Sequence, residues 1–170
     1  MCFAKKHLLF CIFKDKTINM DAIDQQILDF LQEDGKITAK EMASKLNLTP
    51  TPIYERIKKL EQIGIIKKYV ALLDADILNK SLTVFLNICI KDHQKDQRQK
   101  FINKVKELED ISEFYHTSGA YDFLAKVKFS NVKEYRDFLV NDIASIENIG
   151  DIDSQIVLEE IKSTTSIKLF

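Results

Sequence analysis

The spacing of the apolar residues changes near residue 72, and this change constrains the fold more than any other feature of the sequence. Before it, apolar residues recur every three or four positions, which is the period of a helix with one buried face. Over residues 82–90 they occupy every second position, which is the period of a β-strand. The chain therefore predicts two small units, a helical one followed by one built on a sheet.

The composition is that of a globular protein whose two halves differ in charge. Of 170 residues, 45% are hydrophobic, and only four Gly and two Pro leave little room for long loops. The net charge of −1 is unevenly distributed: it is +3 over residues 1–19, zero over residues 20–70 and −4 over residues 71–170. Three cysteines without a C-x-x-C pair argue against a disulfide scaffold or a zinc site, and favour a reducing, cytoplasmic compartment.

The first nineteen residues show neither helical period nor capping pattern. Lys5 and Lys6, followed by the apolar run Leu8–Phe13, imitate a signal peptide, but this run is only six residues and no A-x-A-like site follows. The stretch from Met20, M-D-A-I-D-Q-Q-I-L, reads as a natural beginning. We expect residues 1–19 to be an extension, either disordered or the product of a misassigned start.

Residues 20–66 carry the start and stop signals of three short helices. Asp21 and Thr38 are N-cap candidates, the second in a capping-box pattern. Gly35 is expected to stop the first helix by supplying a left-handed residue, and Gly64 ends the third.

The third helix begins in the segment Thr49–Pro52, where two prolines fit because first-turn N–H groups have no intrahelical partner. Ile53, Ile57 and Leu60 face inward, and residues 54–68 carry a net charge of +3. This pattern predicts a DNA-binding helix-turn-helix. The alternative is an ordinary helical subdomain with solvated lysines. The candidate DNA-contacting residues are Thr49, Thr51, Tyr54, Glu55, Arg56, Lys58, Lys59 and Gln62.

Arg56 lies nearer the edge of the apolar stripe than the outward face. We expect it to reach either a phosphate or an intrahelical carboxylate, whereas Lys58 and Lys59 are better placed for DNA.

Residues 81–162 predict the order β-α-β-β-α-β, a ferredoxin-like sandwich with two helices on one sheet face. The predicted elements are a strand over 82–90, a helix at Phe101–Leu108, strands at Ile111–Thr117 and Asp122–Phe129, a helix at Val132–Ile143 and a strand around Ile152–Glu160. The open face carries apolar residues such as Phe85, Cys89 and Val157, which predicts self-association. A linker strand over 67–80 joins the two units, and 163–170 form a C-terminal tail. The fold class is therefore α+β.

Four stretches taken in order resemble the leucine-responsive regulatory protein/AsnC family of transcription regulators, closest to its leucine-responsive branch. They are I-D-Q-Q-I-L-D-F-L-Q-E-D-G-K-I-T, L-T-P-T-P-I-Y-E-R-I-K-K-L-E-Q-I-G-I-I-K-K-Y, S-G-A-Y-D-F-L and I-V-L-E-E-I-K. The likeness covers residues 20–162, and it has no counterpart for residues 1–19.

The resemblance implies a winged-type helix-turn-helix that binds double-stranded DNA, and homodimers that assemble into octamers or larger rings. It also implies a small amino-acid effector, for example leucine, bound between dimers. The effector residues that it implies are Ser118, Gly119, Ala120, Tyr121, Asp122, Gln155 and Val157. Each residue of the turn has a structural alternative: Gly119 as a hairpin residue with positive φ, Tyr121 as interface packing, and Asp122 as the completion of an Asx-type turn.

Three classes of function remain on this sequence. The first is a sequence-specific regulator modulated by an amino acid, and the second is an effector-independent architectural protein that wraps DNA. The third is an enzyme resembling siroheme decarboxylases, but residues 112–129 offer only His116, Lys126 and Lys128 to hold several carboxylates. We therefore expect no enzymatic activity, no cofactor and no metal.

Overall fold

The computed structural model describes residues 20–169, which form two compact units. The helical unit consists of residues 20–72 together with 162–169, and the sheet unit consists of residues 73–161. The expected extension over residues 1–19 lies outside the described residues. Within the described part of the chain, no helix is long and apolar enough to cross a membrane.

Three helices build the helical unit, and each begins after the residue that the sequence predicts as its cap. They are α1 (Ala22–Glu33), α2 (Ala39–Leu46) and α3 (Pro50–Gln62). Asp21 and Thr38 both close capping boxes, which satisfy backbone N–H groups that have no intrahelical partner. Gly64 follows α3 with a φ of 79°, a conformation that costs glycine nothing because it has no Cβ.

Apolar side chains from all three helices meet in one core. The buried members are Ile27, Leu28, Met42, Ala43, Ile53 and Leu60. Full burial of one large apolar side chain stabilises a fold by about 1.5–3 kcal/mol. Because Ile53 and Leu60 contribute to this core, the face of α3 that turns outward is fixed by packing.

Two local expectations for this region are wrong. Gly35 is not left-handed, because Asp34 ends α1 in an extended conformation and its carboxylate accepts a hydrogen bond from the Lys36 N–H at 2.8 Å. Residues 67–80 form no strand, since no strand of the described residues pairs with them. The Asp74 carboxylate instead accepts from the N–H groups of Asp76 and Ile77, which starts a turn.

The sheet unit has the predicted order of elements. They are β1 (Leu82–Ile90), α4 (Lys95–Lys106), β2 (Ile111–His116), β3 (Phe123–Phe129), α5 (Val132–Phe138), which a short π-helical turn (Leu139–Ile143) continues, and β4 (Ile149–Ile156). The strands lie in the order β2-β3-β1-β4, and every neighbouring pair is antiparallel. This is the ferredoxin-like sandwich, and the prediction of the fold class is confirmed.

One face of this sheet is packed against the helices and the other is open. The packed face includes Val84, Leu86, Ile88, Phe123, Ala125, Val127 and Phe129, which meet Phe101 and Val105 of α4 and Tyr135 and Phe138 of α5. Residues between these positions, such as Phe85 and Lys126, lie on the open face and are directly paired in the β1–β3 register. The period of two along each strand thus separates core from surface.

Two expectations for the sheet unit need correction. The last strand covers Ile149–Ile156 rather than Ile152–Glu160, because β1 begins at Leu82 and offers no partner beyond the bond from the Val157 N–H to the Thr83 carbonyl. Cys89 is only 5% exposed and so does not add to the open face. Its sulfur lies 3.5 Å from the carbonyl oxygen of Ala120, in the turn between β2 and β3.

Candidate DNA-binding face and candidate effector site

The outward face of α3 gathers most of the residues that the sequence proposes for DNA contact. The exposed members are Thr49, Thr51, Tyr54, Glu55, Lys58, Lys59 and Gln62. Tyr54 is a large aromatic residue, yet it is 56% exposed. Hydroxyl, phenol, amide and ammonium groups on one helix face suit contacts with phosphates and base edges.

The first turn of α3 lacks two backbone donors that a helix N-terminus usually presents. Pro50 and Pro52 have no N–H. Thr49 occupies the N-cap position without a side-chain capping bond, because Pro52 stands where the third N–H would donate to it. The Thr49 hydroxyl is therefore not used in capping. An anion at this helix start would be bound through the hydroxyls of Thr49 and Thr51 more than through backbone amides.

Lys58 belongs to a small polar network on the exposed side of α3. Its Nζ lies 3.1 Å from a carboxylate oxygen of Glu61 and 5.6 Å from the centroid of the Tyr54 ring. Tyr69, which follows the helix, donates its hydroxyl to the other carboxylate oxygen of Glu61 at 3.1 Å. The hydrogen bond from Lys58 lowers the pKa of Glu61, and Glu61 raises the pKa of Lys58. Both groups therefore stay charged at neutral pH.

Arg56 points from α3 to the start of α1. Its Nη1 lies 2.6 Å from a carboxylate oxygen of Asp21 and 2.6 Å from one of Asp24. Hydrogen bonds to Asp24 and then to Asp21 raise the pKa of Arg56. The carboxylate that Arg56 reaches therefore belongs to another helix, and the guanidinium joins the two helices.

Asp24 explains why this contact matters for α3. The residue is only 4% exposed, and a buried carboxylate is costly unless it is paired and hydrogen-bonded. Arg56 supplies both the charge and the hydrogen bond. No buried side-chain nitrogen or oxygen among the described residues lacks a partner. The position of α3 on α1 is thus set by an ion pair as well as by the apolar core.

The candidate effector turn, Ser118–Asp122, joins β2 to β3. Gly119 has a φ of 139°, which an L side chain rarely adopts, and no atom lies within 4 Å of the Cβ that it lacks. The turn is closed by the Thr117 N–H, which donates to the Asp122 carbonyl at 2.9 Å, and by the Thr117 hydroxyl, which donates to the Tyr121 carbonyl at 3.0 Å. Ser118, Gly119 and Ala120 are exposed at its tip.

The Asp122 carboxylate already has two neighbours within the chain. One oxygen accepts a hydrogen bond from the Ile90 N–H at 2.9 Å, and the other lies 3.5 Å from Nδ1 of His93. The Asp122 N–H in turn donates to the Ile88 carbonyl at 3.0 Å. Asp122 therefore ties the turn to the end of β1, and its second oxygen faces a group that is cationic when protonated.

Gln155 and Val157 lie at the other end of β1 from the turn. Gln155 pairs with Phe85, whereas Asp122 bonds to Ile90. Five residues along a strand span about 16 Å. Gln155 makes a long contact of 3.4 Å with Asp153, and Val157 is half-buried. One copy of the chain thus does not gather the seven candidate effector residues into a single pocket.

Two contacts at these sites escaped sequence reasoning. His93 showed no motif, and its approach to Asp122 depends on the turn reaching the end of β1. The partners of Arg56 carry a weak signal in the sequence, since Asp21 is predicted only as the N-cap of α1 and Asp24 is only an acid in its first turn. Among the described residues, no cluster of three or more His, Cys, Asp or Glu side chains could hold a metal ion.

Comparison with known proteins covers both units. Residues 20–67 match a winged helix-turn-helix DNA-binding domain, and residues 83–167 match the Lrp/AsnC ligand binding domain. The leucine-responsive regulatory protein of Haemophilus influenzae is 35% identical over 156 residues, which cover 92% of this chain and 94% of that protein.

Two solved structures are similar to this chain in both sequence and fold. An AsnC family transcriptional regulator from Agrobacterium tumefaciens is 38% identical, with a TM-score of 0.84 over 88% of this chain and 97% of that one. A transcriptional regulator from Neisseria meningitidis, solved in complex with L-Met, is 32% identical, with a TM-score of 0.85 over 89% of this chain and 97% of that one.

Proposed function

The chain belongs to the Lrp/AsnC family of transcription regulators, and we propose that it binds operator DNA through α3 and that a small amino acid modulates this binding. The observation that carries the proposal is the outward face of α3. Its polar and cationic side chains are exposed, while Ile53 and Leu60 lock the helix onto its unit. A helix held in this way can enter the major groove without losing its own packing.

We assign separate roles to the residues of this face. Lys58 and Lys59 provide positive charge for phosphates, and Thr49 and Thr51 provide hydroxyls at the helix start. Tyr54, Glu55 and Gln62 present groups that can contact base edges. Arg56 acts by holding α3 against α1, because both of its carboxylate contacts lie within the helical unit.

The effector in this proposal is a free α-amino acid bound at the turn Ser118–Asp122. The exposed N–H groups around Gly119 suit the carboxylate of the effector, and the Asp122 carboxylate suits its ammonium. The relative solved with L-Met supports this class of ligand. The relatives named for leucine make L-leucine a second candidate.

The proposed site needs a second copy of the chain. Gln155 and Val157 lie about 16 Å along β1 from the turn, so a pocket that uses both groups must combine residues of two copies. The open face of the sheet, with Phe85 half-buried on it, is the surface that we assign to the homodimer. Further assembly into octamers or larger rings is part of the same proposal.

Two titrations test the function. A duplex selected by the protein from a random pool should bind at least about 10³-fold more tightly than a shuffled duplex at the same salt concentration. Repeating the titration with L-leucine and with L-methionine should change the affinity. A thermal-shift screen of the twenty amino acids then identifies the effector, because a ligand of the native state raises the melting temperature by mass action.

The same titrations test the second function, that of an architectural protein that wraps DNA without an effector. Equal affinity for selected and shuffled duplexes, together with no response to any amino acid, would favour it over the regulator. Either function acts on DNA without chemical conversion of a substrate. We accordingly propose a cytoplasmic regulator that is not an enzyme, and an absorbance spectrum showing a bound tetrapyrrole would contradict this.

A further inference from the structure

The C-terminal segment Lys162–Leu169 belongs to the helical unit and contacts its three helices. Gln32, near the end of α1, donates from Nε2 to the Ile167 carbonyl at 3.2 Å, and its Oε1 accepts from the Ile167 N–H at 2.6 Å. Leu169, two residues further on, is half-buried and packs against the core of the three helices. Two contacts of different kinds therefore fix the end of this segment on the unit.

The Gln32 contact has the pattern of one rung of a β-ladder. A carboxamide carries one acceptor and one donor in a plane, as a peptide unit does, so it can satisfy both backbone groups of one residue. The Ile167 side chain is 71% exposed, which shows that the contact depends on the backbone of this residue. Of the side chains near the end of the segment, Leu169 is the one that packs on the core.

The charges of α1 and of the C-terminal segment also favour this contact. Residues 21–34, which form α1 and its two caps, contain five acidic residues and no Lys or Arg. The segment 162–170 contains two lysines and no acidic residue. Gln25 and Asp29 of α1 line a shallow groove together with Lys162 and Lys168 of the segment.

We propose that Lys162–Leu169 is a strap that holds α1 and, through the ion pair of Arg56 with Asp24, also α3 within the helical unit, with Gln32 as the positioning residue. The inference rests on the proposed function, because the strap matters only if the unit binds DNA. Residues 157–161 connect the strap to β4, which carries Gln155.

A matched pair of substitutions in the full chain tests the strap. Gln32→Met removes both hydrogen bonds and keeps the length and helix propensity of the side chain. Gln26→Met makes the same change at an exposed position of the same helix. Leu169→Ala removes the apolar anchor while leaving Gln32 in place. The measurements are hydrogen exchange of the Ile167 amide and affinity for a duplex selected by the wild type.

We expect the Ile167 amide to be protected in the wild type and in Gln26→Met, and to exchange at least about fivefold faster in Gln32→Met. Affinity for the selected duplex should fall about three- to tenfold in Gln32→Met and Leu169→Ala, and stay unchanged in Gln26→Met. The slope of log affinity against log salt should not change, since a positioning residue removes no phosphate contact.

Three results would overturn the strap. One is an Ile167 amide that exchanges in the wild type at the rate of an unstructured peptide. Another is faster exchange of the Ile167 amide in Gln32→Met, which shows that the strap is released, together with an affinity for the selected duplex that stays within about twofold of the wild type. The third is a salt slope that falls by about 1, because the strap would then contact phosphates directly. Failure of the wild type to bind any duplex would overturn the proposed function instead, while the exchange result would still decide whether the strap docks.

Discussion

At the scale of single residues, Arg56 shows how one side chain can belong to a DNA-binding helix without facing DNA. Its removal would leave Asp24 buried with no countercharge. We expect Arg56→Ala to lower the free energy of unfolding of the helical unit by about 1–3 kcal/mol, since the pair is partly exposed. Lys58→Ala on the same helix should leave the free energy of unfolding nearly unchanged. Urea unfolding of the two variants makes the comparison, and equal costs would contradict the role assigned to Arg56.

Asp122 is the residue at which a structural role and a ligand role can be separated. Asp122→Ala leaves the Ile90 N–H without its acceptor and should destabilise the sheet unit by about 1–2 kcal/mol. Asp122→Asn keeps an oxygen acceptor, so its cost should be small. If the carboxylate also binds the effector ammonium, Asn should weaken effector binding by about ten- to a hundredfold. Calorimetry with the best amino acid decides, and equal affinity for wild type and Asn would leave Asp122 a purely structural residue.

At the scale of elements, one face of α3 is exposed while the opposite face is packed in the core. The lysines of the exposed face can therefore be substituted without unfolding the helix. Lys58→Ala and Lys59→Ala should each weaken binding to all duplexes and lower the salt slope by about 1 if they contact phosphate. A loss of about 1–3 kcal/mol at particular operator positions would indicate contact with a guanine edge. Lys133→Ala, an exposed lysine on α5, is the matched control. Unchanged affinity in both α3 variants would place the DNA-contacting face elsewhere.

A second element-scale prediction concerns the start of α5. Lys80 contacts the Glu134 carboxylate at 2.6 Å, and Ser130 donates to it from both its hydroxyl and its N–H. These bonds lower the pKa of Glu134 from 4.5 to about 2, led by the one from Lys80. Stability from this group is therefore present above pH 4.5 and is lost as the pH falls towards 2. Glu134→Gln should flatten the melting-temperature profile between these pH values, and an unchanged profile would contradict the assignment.

At the scale of the whole molecule, the open sheet face predicts that the protein is not a monomer. Light scattering at micromolar concentration should give a mass well above the 19.7 kDa of one chain. Phe85→Asp places a charge on the open face and should shift the protein to smaller species. Val140→Asp is the control, because Val140 is exposed on the π-helical turn that follows α5. A 20 kDa species alone in the wild type would contradict both the dimer and the two-copy effector site.

The sequence by itself determined the kind and the order of the helices and strands within the two units, but not the state of the linker over residues 67–80. The signals for these elements act within a few residues, so local physical chemistry is enough to place them. Examples are the cap Thr38, the prolines that start α3 and the alternation of apolar residues in β1. The outward face of α3 followed for the same reason, since a helical period fixes which side chains oppose Ile53 and Leu60.

Only the tertiary structure decided which distant groups meet. The linker is not a strand because strands exist only where a neighbour supplies hydrogen bonds, and the last strand ends early because β1 offers no partner further on. Several contacts join residues that lie 32 to 135 positions apart in the sequence. They are the hydrogen bonds of Arg56 with Asp21 and Asp24, the one from the Ile90 N–H to Asp122 and the one from the Ile167 N–H to Gln32. Such contacts leave no periodic trace in the sequence, because each depends on where the whole fold brings two short segments together.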